Sequence, residues 1–264
     1  LPSLIRWTGA PTRCNGISLA FARLTSVRDR MNPTRTDLRA ASTDQMTVSV
    51  IVPVLNDGAH LRLCLAPVRA ADTNIEVIVV DGGSRDGSAG IARGLGATVL
   101  VSPVAQRAAQ MNLGAQVARG DVLVFLHADT VLPAAWLTAI RAGMRDRPAI
   151  VGGVFRRRFL GQSAFLALTC WLADWRARLL GWFLGDQTIF VRRTAFATAG
   201  GYRCLTAFED LEFSLRLKKV GQTIVLPLTA FSSGRRFSVR GPVRQTLADL
   251  CLTLRFVRDR ASFV

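Results

Sequence analysis

The chain has few of the residues that usually mark a reactive centre. It has two histidines (His60, His127), one tyrosine (Tyr202) and two lysines (Lys218, Lys219). Its five cysteines, Cys14, Cys64, Cys170, Cys204 and Cys251, form no CxxC pair and have no histidine at metal-ligand spacing. A cysteine metal cluster is therefore unsupported, and no base stands near a cysteine in sequence to activate a catalytic thiol. The cysteines are expected to be reduced thiols of a cytoplasmic protein. No Ser-His-Asp grouping, internal repeat or low-complexity tract is visible. A membrane-spanning helix needs about 20 apolar residues with few charges. The richest candidate, residues 163–185, is interrupted by Asp174, Arg176 and Arg178, and it predicts an amphipathic or buried helix instead.

Acid is also scarce. Eighteen Asp and Glu oppose 34 Lys and Arg, giving a formal charge of +16. Such a surface predicts anionic partners: nucleotide phosphates, nucleic acid or an anionic membrane face. Half of the 264 residues are hydrophobic, enough to core one large domain or two small ones. Residues 1–45 carry scattered Pro, Arg, Ser and Thr without periodicity. They are expected to be a poorly ordered extension outside the fold, with translation starting at Met46. The rival reading, an Arg-rich targeting peptide, lacks the apolar region of a secretion signal.

From Met46 the pattern alternates strand and helix. Strands are expected at 47–54, 76–81, 97–101 and 122–126, with helices near 59–70, 88–95, 105–119 and 134–145, the last with Pro133 in its first turn. This spacing predicts an α/β fold with a mostly parallel sheet. The second half is less regular. It offers a strand at 150–159 with an exposed Arg156-Arg157-Arg158 end, a helix at 163–180, the segment GDQTIFVRR, a helix at 209–220 and a strand at 223–226. An amphipathic helix closes the chain over 241–264, with alternating apolar and basic residues over 244–260 that suit a packed helix or an anionic membrane surface.

Acids and amides cluster where such a sheet would present its carboxyl edge, the usual ligand side of open α/β sheets. Asp81-Gly82-Gly83-Ser84 forms a strand-to-helix turn without the GxGxxG spacing of a dinucleotide fingerprint. His127-Ala128-Asp129 follows a wholly apolar strand. If extended, His127 and Asp129 point the same way and can share a cation whose other ligands are diphosphate oxygens, with Mn2+ or Mg2+ the suitable ions. Glu209-Asp210 opens an amphipathic helix, where acids also suit the helix dipole, and offers a carboxylate base. Arg107 lies near a helix start with Gln110 and Asn112 behind it. Gly185-Asp186-Gln187 offers polar groups to a sugar, and Arg235-Arg236 offers guanidinium to a diphosphate. His60 reads as structural.

These motifs, VIVPVLND, VIVVDGGSRDGS, RAAQMNLGA, VLVFLHADT, GDQTIFVRR and FEDLEFSLRLKKVG, together resemble the family 2 glycosyltransferases over about residues 48–237. The FLHADT and GRRF segments are similar to a bacterial subgroup associated with arsenosugar biosynthesis. The resemblance implies the GT-A fold, a Rossmann-like three-layer architecture over 46–240 with an acceptor-side helical part. It implies inverting transfer from a UDP- or GDP-linked sugar to a small-molecule or lipid-linked acceptor. Pro53, Asn56, Asp57, Asp81 and Gly83 would lie on the nucleotide side, with Arg107 and Asn112 nearby. Asp129 would be the metal aspartate of the family's DxD motif, in which His127 stands where the first Asp is usual. Asp210, with Glu209, would supply the base. Gln187, Arg235 and Arg236 would meet acceptor or diphosphate. A nucleotidyltransferase would want a basic Gly-rich loop where PVLNDGAHL stands. A nucleic-acid-binding protein would not place acids at its site, so no nucleic-acid partner is expected. Peripheral contact with the inner membrane face fits the basic, partly apolar surface.

Overall fold

The computed structural model describes residues 46–160, 163–235, 237 and 241–260. The expectations for residues 1–45 and for Arg236 lie outside the described residues.

The first half follows the alternating pattern: β1 (Val48–Val54), α1 (Gly58–Ala71), β2 (Glu76–Asp81), α2 (Ser88–Gly94), β3 (Thr98–Val101), α3 (Arg107–Val117) and β4 (Val122–Phe125). The second half adds β5 (Thr130–Val131), α4 (Trp136–Met144), β6 (Ile150–Phe159), α5 (Ala164–Leu180), a 3-10 turn at Gly185–Gln187, β7 (Ile189–Arg192), α6 (Arg193–Thr198), α7 (Glu209–Val220), β8 (Gln222–Ser232) and α8 (Pro242–Arg260).

The strands are apolar on both faces because helices cover both. Val48, Val50, Val52 and Val54 of β1 join Val77 and Val79, Val122 and Val124 in one core with Leu61 and Leu65 of α1 and Trp136 and Ile140 of α4. The alternate residues Ile51, Ile78, Val80, Leu123 and Phe125 enter a second core with Met111 of α3 and Phe213 and Leu217 of α7. This is the two-residue period of a strand sorting side chains into two layers. A smaller cluster, Phe159, Leu166, Cys170 and Phe237, joins α5 to the end of β6.

The sheet order is β3-β2-β1-β4-β7-β6-β8-β5. The β3, β2, β1 and β4 pairings are parallel, as the alternation predicts. Beyond β4 the sheet is mixed, because β7 runs antiparallel to both β4 and β6, and β5 antiparallel to β8. Pro53 survives on a central strand because β1 pairs with β4 only as far as Ile51↔Phe125, so its missing N–H leaves no gap in the ladder.

Several local expectations are corrected. β8 continues to Ser232, and α4 begins at Trp136, leaving Pro133 ahead of the helix. Arg157 is 7% exposed, not part of an exposed basic end. Cys64, Cys170 and Cys251 are free thiols, but Cys204 is disulfide-bonded, which corrects the expectation of five reduced cysteines. Among the described residues no helix is long and apolar enough to cross a membrane.

Helix α3 lies close against the sheet at Gly114, where an added Cβ would meet Ile51 Cγ2 at 2.5 Å and Val80 Cγ2 at 3.1 Å. Two branched core side chains in register with a strand ladder cannot both retreat. Gly114→Ala is expected to lower stability by about 1–3 kcal/mol, as overpacking does. Urea unfolding would read this as a lower midpoint at unchanged slope.

Candidate functional site

Strand directions decide where the site lies. β1, β2 and β4 are parallel, so their carboxyl ends share one edge. Antiparallel β7 brings its first residue, and the Gly185–Gln187 turn before it, to that edge. β6 is antiparallel to β7 and parallel to β8, so both end there too. The motifs at the ends of β1, β2, β4 and β8 and before β7 are thus brought to one edge.

After β1 and β2, two loops lock together. Asn56 adopts a left-handed backbone (φ 51°), donates its N–H to Ser84 Oγ at 2.8 Å and accepts from Arg85 N at 2.8 Å. The buried Asp81 carboxylate accepts from Ser84 N at 3.1 and 3.2 Å. Gly83 sits at φ +94° with open space where a Cβ would be, so its backbone conformation, not crowding, calls for glycine. Gln110, buried, donates Nε2 to Val54 O and Val80 O at 2.9 and 2.8 Å and ties the two strand ends. Asp57 contacts His60 Nδ1 at 2.6 Å and Arg235 Nη2 at 3.0 Å. His60 is thus a local partner of Asp57, as expected.

After β4, His127, Ala128 and Asp129 form a turn closed by Thr130 N donating to His127 O at 3.0 Å. The segment is not extended, so the strand alternation that would point both side chains the same way does not hold here. Asp129 faces Arg235 Nη2 at 3.7 Å with 28% of its side chain exposed. Burial first, then Asp57, holds its carboxyl above the ordinary carboxylate value, while Arg235 opposes the shift. His127 lies against Gly185. A Cβ on Gly185 would collide with both His127 Nε2 and Asp210 Oδ2, so these two side chains close over the glycine.

Asp210 is buried and its Oδ1 has no hydrogen-bond partner. Burial pushes its pKa up to about 7, helped by Glu209 and Asp186 and opposed by Arg107. Its neighbour Glu209 is held by Arg107 Nη1 at 3.1 Å. Arg107 is therefore occupied by a carboxylate at the start of α3. Asn112 spends both ends of its amide on the Tyr202 backbone, at 2.8 and 2.9 Å, and pins α3 to that loop. Gln187 is fully buried; its Oε1 accepts from Leu184 N at 3.2 Å and its Nε2 has no partner. Two non-glycine residues flank this region in the left-handed region, Thr188 (φ 54°) and Phe208 (φ 64°). A β-branched residue there is an outlier of the kind that concentrates at functional sites.

Sequence reasoning missed three contributors. Arg157, from the end of β6, holds Asp186 at 2.6 Å. Tyr202 has a buried hydroxyl without a partner, its pKa pushed up by burial and then by Asp210 and Glu209. Arg176 has buried Nε and Nη2 atoms without partners, and burial, then Arg157, pushes its guanidinium down to about 10. None has a local sequence signal, since each depends on a neighbour distant along the chain. Cys64, whose Sγ donates to His127 O at 3.4 Å, has its pKa driven up by burial, then Asp129 and Asp57, which suits an inert thiol.

Among the described residues no three His, Cys, Asp or Glu side chains form a metal-holding group. The donors present, Asp129 and Asp57 around one guanidinium, are hard carboxylates. They fit Mg2+ or Mn2+ if the remaining ligands come from outside the chain.

The sequence profile of Glycosyl transferase family 2 matches residues 49–199, and the chain belongs to that family. An undecaprenyl-phosphate 4-deoxy-4-formamido-L-arabinose transferase from Aeromonas hydrophila is 32% identical over 128 residues, 44% of this chain and 39% of that protein. A PGL/p-HBAD biosynthesis glycosyltransferase of Mycobacterium tuberculosis is 30% identical over 182 residues, 64% of this chain and 68% of that one. The chain thus spans well under half of the first relative and about two thirds of the second. In fold it is similar to the mannosyltransferase PcManGT from Pyrobaculum calidifontis, solved with GDP-Man and Mn2+ (TM-score 0.60, 18% identity, 72% of this chain and 58% of that one). It is also similar to S. aureus TarS 1–349 (TM-score 0.59, 17% identity, 71% and 60%). The architecture is therefore that of the GT-A glycosyltransferases.

Gly185→Ala tests the closure of the site. The chain has two histidines, so each imidazole signal is assignable by NMR. The His127 signal is expected to move while that of His60 stays, with a stability loss of about 1–3 kcal/mol. An unmoved His127 signal would contradict the contact.

Proposed function

We propose that this chain transfers a glycosyl group from a nucleotide-diphosphate sugar to an acceptor hydroxyl in a single displacement that inverts the anomeric carbon. The observation that carries the reading is Asp210. It is a buried carboxylate with one unpartnered oxygen and a proton affinity raised towards neutrality, on the same sheet edge as Asp129. A general base works best with a pKa near the working pH. Family membership supports glycosyl transfer.

In this mechanism the loops bearing Pro53, Asn56, Asp57, Asp81 and Gly83 hold the nucleotide, and Arg235 stands on the diphosphate side. Asp129, with Asp57 near it, would hold Mg2+ or Mn2+, which supplies positive charge to the diphosphate when bound. A fold neighbour solved with GDP-Man and Mn2+ supports this donor class. Asp210 accepts the proton of the acceptor hydroxyl. The freed oxygen pair forms the new bond to the anomeric carbon as the old carbon–oxygen bond breaks, its electron pair leaving on the nucleotide diphosphate. Arg107 fixes Glu209, so the adjacent acid positions the helix start while Asp210 takes the proton. His127 and Gly185 orient Asp210. On the acceptor side, Arg176, whose Nε and Nη2 have no hydrogen-bond partner, favours an acceptor with an anionic head. A relative whose name carries undecaprenyl phosphate supports a lipid-linked one. Within this reading, the FLHADT and GRRF segments support a role like that of the subgroup associated with arsenosugar biosynthesis.

Isothermal titration with UDP and GDP, each with and without Mn2+, tests the donor site. One nucleotide is expected to bind in a metal-dependent way, and Asp129→Ala to abolish the metal dependence. Binding of neither nucleotide under any condition would reject the reading.

The base is tested separately. Asp210→Asn should lower kcat by about 10^2–10^4-fold, the range of general-base catalysis. Its melting temperature at pH 8 should not fall, because the substitution removes a buried charge. Asp210 must be deprotonated to act, and with its pKa raised to about 7 it is half protonated near that pH. The rate should therefore rise from pH 5 through 7 and level off only above about pH 8. A flat profile over that range would exclude Asp210 as the base.

A further inference from the structure

Helix α5 leaves a stripe of large apolar side chains in solvent. Leu168, Trp171, Leu172, Trp175 and Leu179 are each 46–68% exposed. Their spacing of three, one, three and four residues puts them on one face of the helix. The indoles of Trp171 and Trp175 meet edge to face, with centroids 5.9 Å apart. Helix α8, which packs against α5, repeats the pattern. Val243, Leu247, Leu250 and Leu254, at spacings of four, three and four, are each 50–55% exposed.

The α8 pattern is inverted relative to a helix facing water. Its buried side chains include the polar Gln245 and Thr253. Gln245 Nε2 satisfies itself on Asp249 Oδ1 at 2.8 Å, and Thr253 Oγ1 on Asp249 O at 2.7 Å. The leucines are left outside. Soluble monomers rarely expose contiguous apolar area beyond a few hundred Å2 unless something covers it.

The charges around the stripes identify the cover. Arg178 on α5 and Arg244, Arg255 and Arg258 on α8 are exposed, while the acids Asp174 and Asp249 are buried or half-buried. The chain as a whole carries +16. A second copy seated on this face by a two-fold axis would bring the same arginines together and repel. Leu and Trp bordered by Arg are the composition of a helix lying in the interface of an anionic bilayer. Neither helix is long and apolar enough to cross one.

We propose that α5 and α8 together form a docking face for an anionic lipid bilayer. Trp171, Trp175, Leu247 and Leu250 enter the headgroup region and the exposed arginines neutralise lipid phosphates. The inner side of α5 meets β6, where Asp174 takes Arg158 Nη1 at 3.3 Å next to the Arg157–Asp186 pair. Docking therefore lays the acceptor side of the sheet edge against the membrane surface. The face stands on exposure and charge alone, so it can fail or hold independently of the glycosyl-transfer reading.

The test is flotation of the full chain with vesicles of phosphatidylcholine, alone and mixed with phosphatidylglycerol, at low and high salt. The chain is expected to float with anionic vesicles and to bind neutral ones about tenfold more weakly or less, with salt releasing it. Trp171→Ser/Trp175→Ser and Leu247→Ser/Leu250→Ser should each lose at least that much binding. Their substituted side chains are exposed, so circular dichroism and melting should be unchanged. Nucleotide titration of the same variants should be unaltered. Three results would overturn the proposal: no flotation of the wild type, equal flotation of the variants, or sedimentation showing a dimer that these substitutions dissociate.

Discussion

The constraint on which the rest of this structure depends is the crowding of five carboxylates, Asp57, Asp129, Asp186, Glu209 and Asp210, on one sheet edge. Like charges so placed oppose folding unless they are compensated. Three arginines supply the compensation: Arg235 takes Asp57 at 3.0 Å, Arg157 takes Asp186 at 2.6 Å and Arg107 takes Glu209 at 3.1 Å. The compensation is incomplete. Asp129 and Asp210 both retain a proton affinity above that of an ordinary carboxylate. Burial is the first cause for both, and the neighbouring acids add to it, so each acid's proton affinity follows from how deep it sits and which charges face it.

Close packing holds the arrangement in place. Gly185 is the point where the turn before β7 passes beneath His127 and Asp210, and no side chain fits there. Gln110 binds the ends of β1 and β2 into one platform, and Asn112 fastens α3 to the Tyr202 loop. Two of the polar residues in the QRAAQMNLGA helix are therefore spent on positioning the backbone. Helix α5 then joins the site to the outside, with Asp174 and Cys170 facing β6 and its tryptophans facing outward.

Much of the first half was legible from residue pattern. VSVIVPV and EVIVVD are apolar without alternation, which in a chain of this length means strands covered on both faces, and the intervening helical segments make those strands parallel. The acids at the strand ends were legible for the same reason, because a parallel strand's last residue reaches the ligand edge. His127 was read less well. The expectation that it points with Asp129 assumed an extended backbone, whereas the Thr130–His127 hydrogen bond makes a turn and sends the imidazole towards Gly185. The exposed basic end expected for β6 failed because Arg157 is buried against Asp186, a partner 29 positions away that periodicity cannot register.

By itself the sequence determined the α/β alternation, the family to which the chain belongs and the identity of the acids at the edge, because these are properties of short segments and of their order. The tertiary structure decided which acid is paired and which is left with a raised proton affinity, and it decided that β7 turns antiparallel and delivers Gly185 to the site. Those outcomes rest on partners 102 positions apart for Arg107 and Glu209 and 178 apart for Arg235 and Asp57. No local pattern carries such a pairing. Coulomb attraction and burial act on distance in space, and only the order of strands across the sheet sets that distance.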